Sequence, residues 1–215
     1  MIRLSWCFPA LLVFALADAA PTMAQTFESI YTDLDLDKCR HTAGKEEEDY
    51  GFWRCHGHAG ITVRVSAGDQ RTFVSFGPKA KDQPAAGQTF SRFNSVDKTK
   101  IEWRLDKPKG GKATPVATIV RWHIKIDDDD KPSRGRVLVV TRLGNAVCHV
   151  GYVDGLANQD ANALARKLAD ERARTFDCAK DRRIILGEQG ESIAGVAAEI
   201  ARQAEEKKTQ PKATR

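Results

Sequence analysis

Four cysteines, Cys39, Cys55, Cys148 and Cys178, follow a short apolar leader, and no other feature limits the fold of this chain as tightly. An even set in an exported chain reads as two disulfides, for which three connectivities exist. Pairing Cys39 with Cys55 and Cys148 with Cys178 is favoured, because each pair then lies within one local supersecondary unit. The loops so closed span sixteen and thirty residues, worth about 3 and about 3.6 kcal/mol in the chain-entropy account. A domain folds with roughly 5–15 kcal/mol in total, so the bridges would carry a large share. A zinc site built from Cys39, Cys55 and nearby histidines is disfavoured, since no C-x-x-C occurs and an oxidising compartment favours the bridge.

The expectation of an oxidising compartment rests on residues 1–24. Arg3 supplies a positive charge, residues 11–17 an apolar core, and Ala19, Ala20 and Ala24 the small residues of a cleavage region. That is the layout of a secretory signal peptide. Cleavage is expected after Ala24, because a cut after Ala19 or Ala20 would fall beside Pro21. Cys7 precedes the apolar core, so there is no lipobox. No later stretch approaches the roughly 20 apolar residues of a membrane-spanning helix. The chain is expected to be periplasmic or secreted. A single α+β domain is expected over residues 25–187, followed by a weakly ordered C-terminal helix or tail over residues 188–215. The 41% hydrophobic content, 16 Gly and 8 Pro exclude a collagen-like or wholly disordered chain.

Period-two patterning dominates the middle of the chain. Residues 52–55, 61–65 and 71–76 alternate between glycine-containing turns and read as strands of a meander. Residues 25–50 read as irregular, because Asp33, Asp35 and Asp37 are poor strand formers. Ile101, Trp103 and Leu105 share one face of a strand whose other face carries Glu102 and Arg104. Residues 116–126 alternate strictly: Val116, Thr118, Val120, Trp122, Ile124 and Ile126 face one way, Arg121, His123 and Lys125 the other. This predicts an antiparallel sheet with one wet face.

Residues 136–153 predict a hairpin about a two-residue Gly144-Asn145 turn. That register sets Thr141 opposite Cys148 and Val139 opposite Val150, so Cys148 would point to the side of Val137 and Val139. Residues 158–175 predict the covering helix, with Asn158 or Asp160 as N-cap and Ala161, Leu164, Ala165, Leu168 and Ala169 as its apolar stripe. The expected architecture is therefore α+β: an antiparallel β-sheet of meander and hairpins, one main helix packed on one face, and two disulfides.

Signatures of catalysis are missing from the sequence: there is no G-x-S-x-G, H-E-x-x-H, P-loop or G-x-G-x-x-G. His56 and His58, flanking Gly57, could offer two imidazoles to a metal, with His149 as a distant third. Two surface histidines beside a disulfide are the simpler reading, and no cofactor is expected. Asp33, Asp35 and Asp37 imitate a calcium loop but meet Lys38 where glycine is needed and Gly44 where glutamate is needed. Residues 127–130 are four consecutive aspartates of a loop tip, and residues 46–49 an acidic turn.

Charge is uneven. The chain carries a formal +5, and residues 79–125 concentrate an excess of bases. A nucleic-acid reader is not expected, because export argues against it and Trp103 and Trp122 sit on inferred core faces. Attraction to an anionic envelope component or a periplasmic partner protein fits better, with Arg121, His123 and Lys125 as the expected contact surface. An exported hydrolase or metal-dependent enzyme with a His-containing site is the alternative.

The segments Tyr31-Thr32-Asp33-Leu34-Asp35-Leu36-Asp37-Lys38-Cys39, Trp53-Arg54-Cys55-x-Gly57-x-x-Gly60 and Cys148-His149-Val150-Gly151-Tyr152-Val153-Asp154 resemble a set of uncharacterised exported bacterial proteins. The resemblance implies an exported, disulfide-bonded α+β protein and transfers no activity.

Overall fold

A computed structural model describes residues 26–44, 50–126 and 134–209. The leader, the acidic turn at 46–49, the aspartate run at 127–130 and residues 210–215 lie outside the described residues. The strands are β1 (Thr26–Leu34), β2 (Arg40–Ala43), β3 (Gly51–His56), β4 (Thr62–Gly68), β5 (Arg71–Phe76), β6 (Asn94–Ser95), β7 (Thr99–Lys107), β8 (Thr114–Lys125), β9 (Arg134–Arg142), β10 (Cys148–Asp154) and β11 (Ile184–Ile185). Among the described residues two α-helices accompany them, α1 (Ala161–Arg172) and α2 (Val196–Thr209).

The strands form two sheets. A 7-stranded sheet runs β1-β7-β8-β9-β10-β11, with β6 also paired to β8; a 4-stranded meander runs β2-β3-β4-β5. Every pairing is antiparallel except the short β10–β11 contact. Both expected disulfides are present, Cys39–Cys55 and Cys148–Cys178. The first ties the entry of β2 to β3; the second ties β10 to the turn beyond α1.

Residues 26–34 and 40–43, expected to be irregular, are strands. Tertiary pairing overrides the poor propensity of aspartate: Asp33 lies opposite Lys100 in an unbroken register of β1 on β7, and their side chains pair at 2.6 Å.

The large sheet is buried on both faces, not one. Ile101, Trp103, Val120, Trp122, Val137 and Val139 pack with Val63, Val65, Val74 and Phe76 of the small sheet. On the opposite face Ala117, Ile119, Leu138, Val140 and Val150 pack with Ala161, Ala165, Leu168 and Ala169 of α1. The helix thus lies on the side of Arg121, the face expected to be wet. The cause is visible in the run Val137-Leu138-Val139-Val140, apolar on both sides of the pleat, as in a strand covered twice.

The hairpin register also differs from expectation. Arg142, not Thr141, lies opposite Cys148, and a bulge follows between His149 and Gly151. A longer connection shifts the pairing by one residue and so turns Cys148 to the helix side, among Leu138, Val140 and Phe176. At Gly151 a Cβ would stand 2.3 Å from the Ile184 carbonyl oxygen, so only glycine admits β11 there.

A charged seam holds the flank of α1 against β7. Arg166 pairs with Glu102 at 2.6 Å, Asp170 with Arg104 at 2.6 Å and Arg174 with Asp106 at 3.1 Å. Four helical residues rise about 6 Å and two strand residues about 6.6–6.8 Å, so successive rungs stay aligned while their signs alternate. The Ser29 hydroxyl links the first two rungs, donating to Glu102 and accepting from Arg104. Glu102 and Arg104 are buried, and each is satisfied in several directions. Asp160 stands at the N-cap but its side chain makes no capping bond; the seam and the apolar stripe fix the helix instead.

Asp170→Ala leaves the bidentate Arg104 guanidinium buried without a countercharge. Urea unfolding should show a loss of about 3 kcal/mol, and a second change, Arg104→Leu, should recover most of it.

Candidate functional site

The outer face of the small sheet carries the most distinctive charge arrangement of the described surface. Strand register places Arg40 opposite Arg54, and Arg54 opposite Arg64. Three guanidinium groups therefore form one row across β2, β3 and β4, on strands about 4.8 Å apart. Like charges directly opposite one another destabilise a sheet. Among the described residues none of the three has a carboxylate within ion-pair distance. Arg64 lies 4.8 Å above the ring of Phe52, a cation–π contact that restricts where its guanidinium can point.

Residues 77–81 fold over the far side of this row and make it a groove. The groove encloses about 570 Å³, with Arg40, Arg54, Arg64 and Lys81 as its cations and no acidic residue among the described residues of its lining. Among the described residues, the ion pair of Lys81 is a long 4.0 Å contact to Asp82. Ser75, opposite Arg64 on β5, ends the row with a buried hydroxyl that lacks a partner. Arginine matters here chemically: its planar fork can present two donors at once to a carboxylate or phosphate.

The surface expected from sequence lies elsewhere, on the helix side of the large sheet. Arg121 donates to Asn162 at 3.1 Å, Lys125 stands over Phe93 at 5.8 Å, and His123 has one ring nitrogen buried. Arg121 and His123 line a cavity of about 540 Å³ with Tyr31, Lys100, Leu138 and Asn162. Its lysines are matched by acids: Lys100 with Asp33, Lys38 with Asp35 at 2.9 Å, Lys98 with Asp37 at 3.5 Å. Hydrogen bonds from Lys100 and Lys38 hold Asp33 and Asp35 below the usual carboxylate range. This cavity is close to internally neutralised, whereas the described lining of the arginine groove carries only positive charge.

The three histidines considered as metal ligands have separate surroundings. His56 is exposed on β3, His58 lies 6.2 Å from the ring of Trp103, and His149 is sealed between Trp122 and Tyr152. Among the described residues no group of three or more His, Cys, Asp or Glu could hold a metal ion. No family model matches the chain, and no curated protein or solved structure shows detectable similarity to it.

His149 has a structural consequence instead. Arg183 donates to the Tyr152 hydroxyl oxygen at 2.8 Å, leaving the phenol proton for Nδ1 of His149 at 3.1 Å. Nε2 has no partner. Burial, with the Arg183 charge adding to it, pushes the imidazole down to about 3, while burial raises Tyr152 to about 12.

The unfolded chain binds a proton at His149 below about pH 6.5, and the folded protein does not until about pH 3. The stability contributed by this group is therefore complete above pH 6.5 and declines as pH falls toward 3. Unfolding free energies should drop by about 2 kcal/mol from pH 7 to pH 5 on its account, and His149→Phe should remove that part of the slope.

Proposed function

We propose that the chain is an exported, disulfide-stabilised binding protein whose arginine groove takes an acidic polymer of the bacterial envelope, one bearing carboxylate or phosphate groups. The observation that carries this reading is the row Arg40, Arg54 and Arg64, aligned by strand register and without carboxylate partners among the described residues. A sheet gains nothing internally from three facing guanidinium groups; an external polyanion relieves their repulsion and receives directed hydrogen bonds. The groove crosses the strands, so anionic groups recurring at about 5 Å along a chain would meet successive arginines. The leader-like composition of residues 1–24 supports export. Two disulfides and the absence, among the described residues, of a helix able to cross a membrane fit it. Binding, not catalysis, is the activity proposed.

Polygalacturonate and polyphosphate are suitable probes. Titration at increasing salt should show affinity falling steeply, and replacing Arg40, Arg54 and Arg64 together by Gln should lower the logarithmic salt slope by about 2–3. Replacing Lys98 and Lys100 by Gln should leave that slope nearly unchanged. Binding that ignores several hundred millimolar salt, or that survives the triple replacement, would overturn the proposal.

A further inference from the structure

Sheet edges expose unpaired backbone donors and acceptors, and proteins normally guard them with short strands, lysine, proline, bulges or a covering segment. Most edges here are guarded. β11 has two residues. β2 has four and carries Arg40. The outer side of β5 is covered by the segment around Asn94, which accepts from Thr72 N at 3.0 Å and donates its own N–H to the Gln70 carbonyl at 3.0 Å.

β1 differs. It is nine residues long, pairs with β7 through nine consecutive positions without a bulge, and contains no lysine, arginine or proline. Among the described residues no strand lies on its outer side. At its centre are Ile30 and Tyr31, 37% and 48% exposed, two of the few large apolar side chains left so open.

We infer that β1 is a homodimer interface, pairing antiparallel with β1 of a second copy so that one sheet continues through both. The sequence suits a copy of itself. With Ile30 on the two-fold axis, Glu28 meets Thr32, Ser29 meets Tyr31, and Phe27 meets Asp33. No two like charges oppose each other directly or diagonally, and Ile30 meets Ile30. Isologous contacts of this kind close on themselves, so assembly stops at two copies. Glu28 and Asp33 are held back toward β7 by Lys107 and Lys100, which keeps their charge off the open edge. The arginine groove lies on the other sheet, so dimerisation leaves it accessible and doubles it.

Sedimentation velocity of the purified chain across the micromolar range should show a shift toward twice the monomer mass. Ile30→Lys places two like charges on the axis at an already exposed position and should hold the protein monomeric with unchanged near-UV circular dichroism. Mild oxidation should cross-link the Ile30→Cys variant to a dimer, whereas Thr26→Cys, opposite Leu34 in this register, should cross-link poorly. A protein monomeric at every concentration, or a dimer indifferent to Ile30→Lys, would overturn the inference. So would equal cross-linking of the two cysteine variants, which would contradict the register.

Discussion

The contact between the two sheets, centred on Trp103, is the interaction on which the remaining architecture depends. Trp103 is fully buried, meets Phe76 of the small sheet edge-on at 5.7 Å, and donates its indole N–H to Thr32 of β1 at 2.8 Å. Gly57 lets the end of β3 approach it closely, since a Cβ there would stand 2.5 Å from the indole. The apolar inner face of the 4-stranded meander must be buried against another layer. Burying Val63, Val65, Val74 and Phe76 in the core shared with the large sheet is what holds it in place, at roughly 1.5–3 kcal/mol for each large side chain buried. The Cys39–Cys55 bridge adds a covalent limit on the same unit. With its inner face secured in this way, the sheet can tolerate a destabilising row of arginines on its outer one.

The opposite side of the large sheet is fastened differently. There α1 offers mostly alanine, a thin apolar stripe, and alternating ion pairs along β7 supply the orientation that small side chains cannot. Buried ion pairs are seldom a net source of stability, because desolvation opposes the attraction. Their clearest effect here is on register: sliding α1 by one rung along β7 would bring Arg166 against Arg104 and Asp170 against Asp106. The Cys148–Cys178 bridge sets the same register from the other end.

Much of this was legible in the sequence. The alternation of residues 101–105 identified the Trp103 face, the even cysteine set gave both bridges, and the glycine-bounded runs gave the small meander. Arg121, His123 and Lys125 suggest a wet face, while Ala117 and Ile119, lower on the same face, belong to the core beneath α1. The side that Cys148 takes is not legible locally, because a Gly-Asn pair suggests a two-residue turn and nothing in the sequence announces the bulge at Val150. Residues 25–50 read as irregular because of Asp33, Asp35 and Asp37, yet only Asp33 falls within β1, and there Lys100 of β7 pairs with it. The arginine row could not be read at all. Arg40, Arg54 and Arg64 look like three ordinary surface charges until two strand registers set them side by side, and registers are tertiary facts.

An arginine row retained for a ligand predicts a trade between stability and binding. The most direct measurement is the unfolding free energy of Arg54→Gln beside the parent protein at low ionic strength, with and without polygalacturonate. Removing the central charge should raise the unliganded value by about 0.5 kcal/mol and shrink the increment the polymer adds. If the variant is instead less stable and gains as much from the polymer as the parent does, Arg54 is a structural residue and the groove is not the binding face.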